Sequence, residues 1–173
     1  MKMQDLLEEL EEKGCYKKFK SENPSAFFSA GFLILNLKDK SETIQLDFFL
    51  PEQNRDCSNQ SKSQINEGKI VAFEHPFNEP KIFNEEIKQM QPQTTDIKID
   101  IDDLEPICKT TIKENNSSVV PTKIIAILKD NQWNLTCMDD MLGIVQIKIN
   151  AITEEQSEFK KGSLMDFMGI KKK

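Results

Sequence analysis

Histidine is almost absent from this sequence: His75 is the only one, in a short loop reading EHPF. A Ser-His-Asp triad or a Cys-His pair would have to rest on that residue, and no G-x-S-x-G or comparable nucleophile context accompanies it. Glycine is scarce too, with six in all, and none falls into GxGxxG or GxxxxGKS/T, so no phosphate cradle is legible. The four cysteines, Cys15, Cys57, Cys108 and Cys137, form no CxxC pair, which removes the usual zinc spacing. They read as free thiols, Cys108 and Cys137 as small core residues and Cys57 as exposed in a polar loop. No run approaches the roughly 20 apolar residues that span a bilayer. The first residues, MKMQDLLEELEEK, are acidic and amphipathic, unlike a secretory signal or an Arg-rich transit peptide. The expectation is a protein with no catalytic site, no cofactor and no metal, located in the cytoplasm (or the nucleus of a eukaryote).

What is present is a globular balance. Apolar residues make up 38% of the 173 residues and charged residues 30%. The 11 Phe provide enough large side chains for a sizeable core. Charge is uneven: the net is −6, yet residues 160–173 hold five lysines and one aspartate, a net of +4 that leaves −10 on the body. A body of that sign repels phosphate backbones, so direct nucleic-acid binding by it is not expected.

The patterning points to α+β architecture in two halves. Met3, Leu6, Leu7 and Leu10 recur at helical spacing and predict a helix over 3–20, ended at Asn23-Pro24. AFFSAGFLILNL and ETIQLDFFLP follow, joined by KDKS; Ile44, Leu46, Phe48 and Leu50 alternate with their neighbours as in a half-buried strand. After the polar loop EQNRDCSNQSKSQINEG comes a third apolar run, Lys69–Phe73. Residues 76–96 hold Pro76, Pro80 and Pro92 and read as a connector with one helical turn at NEEIKQM. In DIKIDI, Ile97, Ile99 and Ile101 share a face. Asp102 or Asp103 can cap a helix bearing Leu104, Ile107, Cys108 and Ile112, with Pro106 in its tolerant first turn. Three strands close this half, KIIAIL, QWNLTCM and LGIVQIKIN, with turns at Asp130-Asn131 and Asp139-Asp140. The expected organisation is a first α+β half over 1–75, a connector over 76–96, a second α+β half over 97–153 and a flexible docking tail over 154–173. Each half offers one helix and three strands, the helices packed on antiparallel sheet. With its terminal INAITEEQ, the second half loosely resembles the PepSY and cystatin-like modules, which implies helices on an antiparallel sheet and no activity.

The carboxylate clusters have structural readings. Counting an EF-hand loop from Asp100 puts Leu104 fifth and Glu105 sixth, where an oxygen ligand and a glycine are needed. Asp96, Asp100, Asp102, Asp103 and Glu105 therefore read as caps and a solvated face, and Asp139 with Asp140 as hairpin-turn residues. Trp133 reads as a core anchor.

The tail carries the one motif-like pattern. In KKGSLMDFMGIKKK, Leu164 occupies the fourth position counted from Lys161, and Phe167 and Met168 the seventh and eighth. This resembles the PCNA-interacting peptide, or PIP box, Q-x-x-L/I/M-x-x-aromatic-aromatic, in the form found at the C-termini of archaeal replication proteins. Lys161 stands where that motif has Gln, and Met168 where it has an aromatic. The resemblance implies a sliding clamp as partner, with Lys161, Leu164, Met165, Phe167 and Met168 as contact residues. One tight turn would put Leu164, Phe167 and Met168 on one side as an apolar plug. On this reading the chain is a non-enzymatic accessory protein of DNA replication or repair. The alternatives are that these residues fold back on the chain's own core, or that they touch a membrane surface, which so short a segment would hold weakly. With the first of these, the body becomes a small-molecule or lipid-binding α+β domain.

Overall fold

The computed structural model describes residues 1–52 and 67–169. Cys57 and most of the polar loop lie outside them. The order is α1 (Met3–Glu12), α2 (Gly14–Glu22), β1 (Phe27–Asn36), β2 (Glu42–Pro51), β3 (Glu67–Glu74), β4 (Lys81–Lys88), a 3-10 turn (Ile101–Asp103), α3 (Leu104–Glu114), β5 (Lys123–Lys129), β6 (Gln132–Met138), β7 (Gly143–Asn150), β8 (Gln156–Ser163) and α4 (Leu164–Phe167). The fold is α+β. All eight strands form one antiparallel sheet in the order β4-β3-β2-β1-β5-β6-β7-β8. Each half is thus a four-stranded meander, and the two meet where β1 pairs β5.

Residues directly opposite in neighbouring strands share a face, so the register sorts the sheet into transverse rows. Leu33, Ala126, Leu135 and Ile147 make one row, Gly31, Leu128, Trp133 and Ile149 another, and every member is buried. They join Met3, Leu6, Leu10, Tyr16 and Phe19 of α1 and α2 and Leu104, Cys108 and Ile112 of α3 in one core on one face of the sheet. Gly31 is required where it stands: a Cβ there would come 2.9 Å from the Met3 Cε lying across β1. The Trp133 indole N–H donates to the Ile99 carbonyl at 2.8 Å, satisfying its one polar atom inside that core.

Several sequence expectations need correction. The helix expected over 3–20 is two helices, broken at Lys13, whose ψ of 139° is extended. In an unbroken helix at about 100° per residue, Phe19 would point opposite to Leu10. The break rephases the second segment so that Tyr16 and Phe19 also reach the core. Ile99 and Ile101 are buried as their shared face implies, yet DIKIDI joins no strand ladder. Lys98 and Ile99 donate their N–H groups to the single carbonyl of Ala151 instead. The turn ahead of α3 is capped by Asp100, with Asp103 bonding back to the Asp100 N–H at 2.9 Å. Finally, each half has four strands rather than three. Asn84–Lys88 of the stretch read as a helical turn at NEEIKQM belong to β4, and most of the lead-in of the tail expected to be flexible is β8. Both are edge strands, paired on one side only, so burial does not impose the alternation that made the inner strands readable.

Candidate functional site

The C-terminal turn is built onto the sheet. β8 pairs β7 through Ser163, opposite Gly143, so Lys161 is a ladder residue opposite Val145. Ser163 then caps the turn: its Oγ accepts from the Asp166 N–H, and the Asp166 carboxylate accepts from the Ser163 N–H at 2.8 Å and hydroxyl at 2.7 Å. Gly169, at a φ of +70°, lies just past the end, where a left-handed residue is needed to close the turn. Leu164 is half-buried, and its N–H donates to the Leu142 carbonyl at 2.8 Å. Met165 and Phe167 are each 39% exposed and Met168 65%. The Phe167 ring folds back over the sheet edge, its Cε2 lying 3.1 Å from where a Cβ on Gly162 would be.

A second surface escaped the sequence reading. Phe28, Phe48, Val71 and Ile82 form one transverse row on the helix-covered face. The first three are buried and Ile82, on the edge strand, is 62% exposed. The result is a groove of about 360 Å³ walled by Phe19, Leu50, Val71 and Ile82, with Lys18 and Glu22 supplying charge. A cavity of about 330 Å³ adjoins it, sharing Glu22, Asn23 and Leu50. The only sequence signal was an isoleucine in an edge segment that lacked alternation.

The opposite face of the sheet is more polar. Phe32 lies opposite Ile127 and Ile34 opposite Ile125, a short apolar stripe at the junction of the two meanders. Lys123, Lys129, Lys148 and Lys160 flank it by register. Glu158 sits between Lys160 and Lys148, the latter at 2.8 Å, and the two ammonium groups hold its carboxyl down at about 2. Asp47 lies on this face too; burial raises its pKa above the ordinary carboxylate value, against a bond from Gln45 that lowers it.

The remaining candidates have structural surroundings. His75 stands edge-on to Phe77, with its Nε2 3.6 Å from a Glu9 carboxylate oxygen. Asp139 accepts the N–H groups of Met141 and Gly143, as a hairpin-turn residue does. Among the described residues, no three His, Cys, Asp or Glu gather as a metal site, and no helix is long and apolar enough to cross a membrane, which leaves β-barrels unaddressed.

No family model matches this chain, and no curated protein matches it. A solved structure that overlaps it is a provisionally assigned lipoprotein from Clostridium difficile 630. The overlap covers 85% of this chain and 90% of that one, at 10% identity and a TM-score of 0.37. A likeness this partial carries no argument about function.

Proposed function

We propose that this is a non-enzymatic binding protein whose ligand is a small amphiphilic molecule held in the groove between α2 and β4. The observation that carries this reading is Ile82, an apolar side chain that continues a buried row into water beside a concave, largely apolar wall. At about 360 Å³ the groove falls within the range of roughly 300–1,000 Å³ common for small-molecule sites. Phe19, Leu50 and Val71 would take the apolar part, and Lys18 or Glu22 the polar end. Titration with cis-parinaric acid, a fluorescent fatty acid, tests it. Ile82→Glu and Gly14→Trp should each weaken binding about tenfold or more, since a Gly14 Cβ meets nothing within 4 Å and a large side chain there would lie across the opening. Saturable binding indifferent to both variants would end this reading.

A second reading rests on the C-terminal turn, which stands formed with Phe167 and Met168 partly exposed. As an accessory protein of DNA replication or repair, the chain would insert that turn into a sliding clamp of the PCNA type. Calorimetric titration of the whole protein against such a clamp tests this. Phe167→Ala should cost about 2 kcal/mol, on the order of thirtyfold, if the ring is the anchor.

A further inference from the structure

The groove between α2 and β4 and the cavity beside it meet at Leu50, and the two differ in character. The groove has the apolar wall of Phe19, Val71 and Ile82. The cavity is lined by Glu22, Asn23, Ser25, Glu52 and Lys69, with only Leu50 and two prolines as apolar contacts. A ligand that spans both places its apolar part in the groove and its polar end in the cavity.

The charge of that polar end follows from what surrounds it. Glu22 lines both cavities, Glu52 the polar one and Glu79 the groove; against them stand Lys18 in the groove and Lys69 in the polar cavity. None of the five forms an ion pair with another described residue, so the carboxylates exceed the ammonium groups by one. The backbone adds to the imbalance. Glu22 is the last residue of α2 and Asn23 its C-cap, which puts the polar cavity at the negative end of a helix. The Asn23 side-chain amide donates to the Phe19 carbonyl at 3.0 Å, which leaves its own oxygen as a further acceptor. Lys20, the basic residue of that last turn, lines neither cavity, and its ammonium donates to the Ala26 carbonyl. An anionic head in the polar cavity would meet two carboxylates and a helix C-terminus against the single Lys69; a cationic head has that balance in its favour.

We propose that the ligand of the groove is a single-chain amphiphile with a cationic, ammonium-type head. The head sits in the polar cavity with Glu22 and Glu52, and the chain runs past Leu50 onto Phe19, Val71 and Ile82. This assignment rests on the groove being a ligand site and adds the charge of what it holds. Lys69 opposes the head, so its removal should strengthen binding.

Calorimetric titration of the full chain with dodecyltrimethylammonium and with laurate, two amphiphiles of equal chain length kept below their micellar concentrations, tests it. The cation should bind about fivefold more tightly or better, and the preference should shrink as salt is raised. The double variant Glu22→Gln, Glu52→Gln should remove that preference while laurate binding is kept or improved. Glu12→Gln with Glu114→Gln takes the same charge from exposed helix ends and should leave the preference intact, which separates recognition in the cavity from the net charge of −6. Lys69→Met should tighten binding of the cation. Laurate binding as tightly as the cation, or a preference that survives the Glu22, Glu52 double variant, overturns the cationic head and leaves the groove standing. Neither amphiphile binding, or both binding with no effect of Ile82→Glu, overturns the groove and the cationic head together.

Discussion

The backbone N–H of Leu164 donates to the carbonyl oxygen of Leu142 at 2.8 Å, so the C-terminal turn begins as an extension of the β7–β8 ladder. The two parts of the tail therefore contribute unequally to stability. Removing 164–173 should lower the melting temperature by only about 1–2 °C, because Met165, Phe167 and Met168 are exposed and only Leu164 among the described residues lost is half-buried. Removing 156–173 takes away β8 and the half-buried Phe159 that packs against the core, and should cost about 5 °C or more. Thermal melts of the two truncations distinguish a docked turn from a free tail; equal and negligible losses would count against the ladder.

Asp100 ties the two halves together. Its Oδ1 accepts the Ile101 N–H at 2.8 Å, opening the turn before α3, and also the Met3 N–H at 2.8 Å, at the first turn of α1. Asp100→Ala leaves two helical N–H groups without their acceptor and should cost about 1–2 kcal/mol. Asp100→Asn retains the oxygen and should recover most of that loss. Chemical denaturation of both variants gives the comparison.

Asp47 makes stability fall with pH over a defined interval. Burial favours its protonated form, so the native state keeps this proton to higher pH than the unfolded chain, whose value lies near 3.8. The stability tied to that proton is complete below pH 3.8 and is lost as pH rises through the raised native value. Asp47→Asn keeps the acceptor for the Gln45 amide, now at 2.7 Å, and has no charge to bury. It should match the wild type in acid and exceed it at neutral pH in urea melts. A less stable Asn variant at neutral pH would show that the carboxylate has a favourable partner.

The cysteines should differ sharply in reactivity. Cys108 and Cys137 are buried free thiols, and a hydrogen bond from one to the other, with burial, raises the Cys108 pKa. Since the thiolate is the reactive form, neither should alkylate before the fold opens. Cys15 is half-buried, with its thiol 3.5 Å from the Phe77 carbonyl oxygen, and should react first. Iodoacetamide labelling followed by mass spectrometry in a Cys57→Ser background reads the order directly. Native-state labelling of Cys108 would contradict the packing described.

The inner strands and the core face were legible because burial writes a pattern into residues. Ile44, Leu46 and Phe48 alternate because one face of β2 meets helices; Trp133, Leu135 and Cys137 do the same on β6. The turn at Asp130-Asn131 was legible because both residues take positive φ, which their side chains tolerate. The edges were illegible for the converse reason. β4 and β8 each have one neighbour and little burial, so their residues are under no pressure to alternate. The groove beside Ile82 was hidden with them, since it depends on an edge.

Sequence alone determined the α+β class, the strands β1, β2, β3, β5, β6 and β7, and the apolar spacing of Leu164, Phe167 and Met168, each a matter of local periodicity. Tertiary structure alone decided that β1 pairs β5 to merge two meanders into one sheet, that a helix breaks at Lys13, and that the C-terminal turn is tied to the β6–β7 turn by the Leu164–Leu142 bond. Those features join residues far apart in the chain, and their energies come from pairing and burial between segments, which no local pattern encodes.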